Sequence, residues 1–218
     1  MKIVLFPGSF KPPHRGHLKA IENVMKKYKP DIFYLIISRK PRIIEAPFEK
    51  KLHEFSNEEL SDLAKKYKIK KVNKSTIETA LTNGTIPAVS AKTTLEFWKE
   101  YLKLLPKKYV DKIKVSISPL PSPVLYSFVI VKNKVKPDDE LILVKAEKNA
   151  DNTRFSMFDR LNVKKKEVLI PTFRDFNSWQ MRKAIQNKDW KKVKTFLPKL
   201  DSDIQKKLLG LLAPIKKH

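Results

Sequence analysis

Phe6-Pro-Gly-Ser-Phe-Lys-Pro-Pro-His-Arg-Gly-His17 follows directly on the apolar run Lys2–Phe6 (KIVLF), and together they decide the fold. An unbroken apolar run of this kind suits a strand buried on both faces of a parallel sheet. Gly8 and the pair Pro12-Pro13 then force a turn. From Arg15 to Tyr28 apolar residues recur at Leu18, Ile21, Val24, Met25 and Tyr28, the stripe of an amphipathic helix. Asp31–Ser38 (DIFYLIIS) predicts a second buried strand, so residues 2–38 form a βαβ unit with an expected right-handed crossover.

The turn carries the chemistry. Gly8 lets backbone N–H groups approach an anion, and the helix beginning near Arg15 directs its positive dipole end to the same place. His14 and His17 stand three residues apart at that helix start and share a face, with Gly16 removing a side chain between them. Two imidazoles beside amide donors suit the α-phosphate of a nucleotide, where they can stabilise charge that develops in a transition state. The plainer reading is a pair of surface histidines at a helix start. A zinc site would need further ligands, with only His53 and His218 left to supply them, and a Walker loop would need Gly-Lys-Ser/Thr.

Outward from this unit, residues 39–90 break the rhythm. Glu58–Tyr67 predicts a helix capped by Ser56 or Asn57, and Asn83-Gly84 a tight turn. The stretch reads as an insertion (about residues 43–88) on the sheet edge, with too few large apolar residues for its own core. Ala91–Leu105 predicts a helix with Leu95, Trp98, Leu102 and Leu105 on one face. Lys112–Ser118 predicts a third strand, and Ser122-Pro123 a cap with proline at the first position of a helix over 123–132. Glu140–Ala146 and Glu167–Ile170 predict the fourth and fifth strands. Helices follow over 178–187, 189–196 and 202–212. The alternation predicts an α/β fold, a Rossmann-like doubly wound parallel sheet of about five strands, over residues 1–190, with residues 191–218 a helical extension. Ligands of such sheets lie beyond the carboxyl ends of the strands, at the topological switch point.

Composition bounds the rest. The 218 residues suffice for one α/β domain, and 41% hydrophobic content with 21 aromatics argues against disorder. No apolar run is long enough to span a bilayer, Pro7-Gly8 leaves no room for a signal peptide, and there are no cysteines. The expected location is cytoplasmic. Lys plus Arg total 47 against 23 acids, a formal charge of +24 that attracts polyanions such as nucleic acid. A lysine-rich compositional bias explains the charge equally well. Runs such as Lys164–Lys166 and Lys191-Lys192 read as solvated faces, and Trp98, Tyr101, Trp190 and Phe196 as core, not a base-stacking platform.

Gly8-Ser-Phe-Lys-Pro-Pro-His-Arg-Gly-His17 resembles the G-x-F-x-P-x-H-x-G-H signature of the HIGH-motif nucleotidyltransferase superfamily, which includes cytidylyltransferases and adenylyltransferases. Within it, Ile37–Arg42 and Thr85–Trp98 are similar to a branch found in large phages and DNA viruses. The resemblance implies attack by a phosphorylated or hydroxylated acceptor on the α-phosphate of a nucleoside triphosphate, with release of pyrophosphate and with Mg²⁺ held mainly by the phosphates. It implies catalytic roles for His14, His17 and Lys11, and nucleotide-phosphate contacts from Gly8, Ser9, Phe10, Gly16, Ser178 and Arg182. Lys40, Arg42 and Arg154 are candidates for acceptor or phosphate binding; Lys40 reads equally well as solvated loop charge.

A second family motif, I-S-x-T-x-x-R, corresponds to Phe176-Asn-Ser-Trp-Gln-Met-Arg182. Arg182 is retained, but Asn177 and Trp179 stand at the Ser and Thr positions, and Ser178 lies one place off register. Two lost hydroxyl hydrogen bonds predict a deficit of roughly 1–3 kcal/mol, up to about a hundredfold in rate. Trp179 is the larger departure, as an indole that fills either the triphosphate site or the core. Two functions stay open: a nucleotidyltransferase, with homo-oligomers allowed, and a catalytically impaired relative serving as a basic structural or nucleic-acid-associated component, of a virion for example. A DNA-binding regulator has no helix-turn-helix or zinc signature behind it.

Overall fold

The computed structural model describes residues 1–44, 54–83, 85–147, 153–171 and 176–212. His53, His218 and the Gly84 half of the predicted turn lie outside them. Strands β1 (Lys2–Gly8), β2 (Ile32–Ile37), β5 (Ile113–Ile117), β6 (Glu140–Ala146) and β7 (Lys164–Ile170) form one sheet in the order β5-β2-β1-β6-β7. Every pairing in it is parallel. The chain winds outward from β1 through β2 to β5, then returns to lay β6 on the other side of β1. That reversal puts the switch point at β1 and β6, as a Rossmann-like α/β fold requires.

The apolar runs divide by parity, because successive side chains of a strand face opposite ways. Val4, Phe6, Phe33, Leu35 and Ile37 pack on one face of the sheet with α1 (Arg15–Tyr28), α4 (Ala91–Leu102), α7 (Ser178–Gln186), α8 (Trp190–Phe196) and α9 (Ser202–Leu212). Ile3, Leu5, Tyr34 and Ile36 pack on the other face with α6 (Pro123–Lys132) and the 3₁₀ turn Ser156–Arg160. Helix α6 begins where expected: the Ser122 hydroxyl accepts from the Leu125 amide at 3.2 Å. Its β-branched composition is overridden by this cap, Pro123 and the demand for cover on that face. Among the described residues no helix is long and apolar enough to cross a membrane.

Three features differ from expectation. Helix α4 stops at Leu102, where Leu104 and Leu105 make short i→i+3 bonds; Pro106 disfavours helical geometry in the residue before it. Leu105 still reaches the core. Strand β7 starts at Lys164, pairing Lys164–Lys166 with Glu140–Ile142. The three lysines are exposed, as a solvated face should be, yet they are also an edge strand, which lysine protects from further pairing.

The third correction concerns the insertion. Besides α2 (Asn57–Lys66) it contains α3 (Lys74–Thr82) and a small antiparallel pair, β3 (Arg42–Ile43) with β4 (Ala88–Val89). Ile43, Phe55, Leu60, Leu63, Ala64, Ile77, Ala80, Leu81 and Ile86 form a buried cluster separate from both sheet faces. The insertion therefore has a small core of its own, built largely from Leu, Ile and Ala positions that hold few aromatics. Helices α2 and α3 each start with a reciprocal capping box, Ser56 with Glu59 and Asn73 with Thr76.

Candidate active site

The loop between β1 and α1 is held from several sides. Gly8 ends β1 opposite Ile37, and a Cβ there would lie 2.6 Å from the Phe10 ring. Phe10 adopts a positive φ of 50° and tucks beneath the loop, its ring edge-to-face with Phe6 at 5.0 Å, His17 at 5.2 Å and Trp98 at 5.6 Å. Gly8 thus makes room for an aromatic plug under the loop, a steric need additional to any approach of an anion.

His14 is the N-cap of α1 and is buried; His17, in the first turn, is half-buried. Their rings stack with centroids 3.7 Å apart. The His14 backbone N–H donates to His17 Nδ1 at 3.2 Å, so a neutral His17 carries its proton on Nε2 and can donate from there. Gly16 is buried in the same turn. The amides that open a helix lack the i−4 carbonyls that later ones meet, so the start of α1 turns N–H groups and the positive dipole end toward this point.

The lysine and arginines expected at the site converge on the same loop. Lys11 is 1% exposed, and its ammonium donates to the carbonyls of Ser38 and Lys40, tying the loop to the end of β2. Burial, with the Arg42 guanidinium nearby, lowers the Lys11 pKa from 10.5 to about 7. Arg42 Nε donates to the Ser9 hydroxyl at 3.4 Å, a long bond. Arg154 donates to the Pro7 carbonyl at 2.8 Å, reaching across the switch point from beyond β6 to the end of β1. Burial pulls the pKa values of Arg42 and Arg154 downward, opposed by Glu54 and Glu167 respectively, yet guanidinium stays charged in proteins. Among the described residues Lys40 joins through its backbone; its residue is exposed.

The residues of the second motif also land here. Asn177 caps α7, its side chain accepting from the Gln180 amide at 2.8 Å. Ser178 donates to the Pro12 carbonyl at 2.9 Å, and Arg182, buried, donates to the Lys11 carbonyl at 2.6 Å. Trp179 is half-buried with the Lys183 ammonium 5.4 Å from its ring centroid. Sequence reasoning missed Tyr101, whose buried hydroxyl donates to the Pro13 carbonyl at 3.3 Å. Its place one helical turn after Trp98 predicts a core residue, which it also is. Arg15 carries no signal in the sequence beyond its place in the motif; its guanidinium lies 3.7 Å from the Phe176 ring centroid, bridging α1 and the approach to α7.

Two clefts of about 570 and 680 Å³ lie elsewhere, one beside residues 159–165 and one between α1 and β7. Neither is lined by the histidines, so the site is marked by chemistry and by its place at the switch point.

The chain is similar to known proteins. The chain is 29% identical over 154 residues to a probable nicotinate-nucleotide adenylyltransferase of Sulfurimonas denitrificans, a match covering 70% of this chain and 82% of that protein. The family described as cytidylyltransferase-like matches residues 5–149, about two thirds of the chain, starting within β1 and ending just past β6. With the histidine loop at the switch point of a five-stranded parallel sheet, the chain belongs to the cytidylyltransferase-like family of the HIGH-motif nucleotidyltransferase superfamily.

Proposed function

We propose that this protein transfers a nucleotidyl group from a nucleoside triphosphate to a phosphorylated or hydroxylated small-molecule acceptor and releases pyrophosphate. The observation that carries this reading is the stacked His14–His17 pair at the start of α1, on a loop held at the switch point. The acceptor oxygen forms a bond to the α-phosphorus as the bond to the β-phosphate oxygen breaks, and pyrophosphate takes that electron pair; a dianionic phosphate acceptor releases no proton, and a hydroxyl acceptor gives its proton to solvent. His17 Nε2–H, His14 and the helix start stabilise negative charge on the α-phosphate oxygens; Arg42 and Arg154 supply positive charge from the neighbouring strand ends. The resemblance to a probable nicotinate-nucleotide adenylyltransferase makes ATP with a pyridine mononucleotide the first substrate pair to test.

Magnesium is a hard cation that takes oxygen ligands. The side chains round this loop are imidazoles, guanidiniums and an ammonium, and among the described residues no cluster of three His, Asp or Glu could hold a metal ion. These residues do not fit a protein-held magnesium; an ion arriving with the triphosphate would be held by the phosphate oxygens, as the resemblance implies, and would there offset their negative charge.

The test is a pyrophosphate-release assay with each nucleoside triphosphate and a panel of acceptors that includes nicotinate mononucleotide. Removing one preorganised transition-state donor costs roughly 10²–10³ in kcat, so His14→Ala and His17→Ala should each lower turnover by about that factor; both rings also pack in the loop and cap α1, so each variant should melt somewhat below the wild type, and turnover is compared below both melting temperatures. Absence of turnover, with no nucleotide-induced rise in Tm, would sink the catalytic reading.

A second reading, polyanion contact by the insertion, is favoured by one observation. Between Leu63 and Ile77 stand six lysines, Lys65, Lys66, Lys68, Lys70, Lys71 and Lys74, with no acid among them, and all six are exposed.

A further inference from the structure

Three successive carbonyls of the histidine loop are each caught by a side chain from far along the chain. Arg182 holds that of Lys11, Ser178 that of Pro12 and Tyr101 that of Pro13, across separations of 171, 166 and 88 residues. The next residue is His14. Pro12 and Pro13 have no N–H, so this stretch cannot brace itself through its own amides, and two prolines restrict how its carbonyls can turn. What holds the carbonyls therefore sets the direction in which the chain enters α1, and with it the placing of both imidazoles.

We propose that Tyr101 and Ser178 are positioning residues for His14 and His17, acting through the carbonyls of Pro13 and Pro12. The inference rests on the reading of the two histidines as nucleotide contacts. It also gives Ser178 a different role from the phosphate binding that its place in the second motif implies. Tyr101 is well suited to hold a carbonyl in one direction. It is wholly buried and packed edge-to-face against Phe97 at 5.8 Å and Trp98 at 5.9 Å, which fixes where its hydroxyl points. Trp98 in turn packs on Phe10, so α4 supports the loop from beneath as well as from the side.

The two roles leave different signatures. If Ser178 binds phosphate, removing its hydroxyl raises the KM for the triphosphate and leaves the free protein unchanged. If it positions the histidines, the same change lowers kcat, leaves that KM within about twofold, and alters both imidazoles before any nucleotide is present. The variants are Tyr101→Phe and Ser178→Ala, which keep the packing and remove one hydroxyl each. The readouts are steady-state kinetics and the imidazole ¹H–¹³C resonances and titration of His14 and His17 in the free proteins.

Expected are shifted His14 and His17 signals in both variants, a fall in kcat of roughly three- to tenfold, the size of a missing hydrogen bond of about 1 kcal/mol, and a steeper fall in the double variant. Histidine signals superimposable on the wild type would overturn the proposal. So would a Ser178→Ala effect confined to KM. Should the wild type itself turn over no triphosphate, the proposed function fails, while the histidine signals still decide whether Tyr101 and Ser178 set the loop. If Tyr101→Phe does not fold, Ser178→Ala, at the half-buried end of α7, carries the same test.

Discussion

Lys11 shows most plainly how one residue can change meaning between sequence and structure. As a letter in the first motif it is a cation next to a phosphate site; in the fold it is buried, with its ammonium on two backbone carbonyls of the loop after β2. Its pKa lies near 7, against 10.5 for an ordinary lysine, because burial disfavours the charge and Arg42 repels it. Between those values the unfolded chain keeps a proton that the folded protein has lost, so stability rises with pH from about 7 and levels off near 10.5. Lys11→Met should remove that rise. Melting temperatures measured from about pH 6.5 to about pH 9.5 are expected to climb less steeply in the variant than in the wild type, whatever the offset between the two curves. Parallel curves would mean that Lys11 stays charged throughout, stabilised by the carbonyls it holds.

Ion pairs join elements alongside the apolar packing. Glu100 on α4 is 6% exposed and lies between Lys103, one turn on, at 2.6 Å and Lys207 of α9 at 2.9 Å. The first bond is local to α4; the second fastens the C-terminal helix to the one that carries Trp98 and Tyr101. Both lysines are well exposed, so removing the carboxylate leaves their charges in water, not stranded in the interior. Glu100→Ala should therefore cost roughly 1–3 kcal/mol, hydrogen bonds to charged groups being worth about 1.5–3 kcal/mol and the exposed lysines lowering that, seen as a fall in Tm of several degrees. Lys103→Ala should do far less, since an i,i+3 pair of this kind contributes only about 0.5 kcal/mol. Equal losses would show that α9 gains nothing from its Lys207 bond. At this scale most elements were legible: α1, α6, β2 and β6 follow from periodicity and caps. The start of β7 was not, because exposed lysines on an edge strand look the same in sequence as lysines in a loop.

For the whole molecule the charge of +24 is the property that no single site explains. If the six exposed lysines between Leu63 and Ile77 contact a polyanion, binding to a non-specific nucleic-acid duplex should weaken steeply with salt, with log K linear in log of the salt concentration. Replacing Lys65, Lys68, Lys70 and Lys71 by Glu should flatten that slope and leave Tm nearly unchanged, because these side chains are exposed. Fluorescence-anisotropy titrations at several salt concentrations read the slope, and a thermal melt reads the stability. A slope unaltered by the four substitutions would make the charge a property of the whole surface and not of the insertion.

The sequence alone determined the sheet, its flanking helices and the histidine loop, because these rest on local signals: runs of apolar residues, capping residues, and a glycine and prolines within a few positions of one another. Tertiary structure decided what that loop is fastened to. The carbonyls of Lys11, Pro12 and Pro13 meet partners 88 to 171 residues away, and no local pattern pairs a carbonyl with a tyrosine in a helix already explained by its burial. The small core of the insertion was hidden for a related reason. Its apolar residues, mostly Leu, Ile and Ala, are spread over residues 43–86, and they meet only when α2, α3 and the flanking chain pack together.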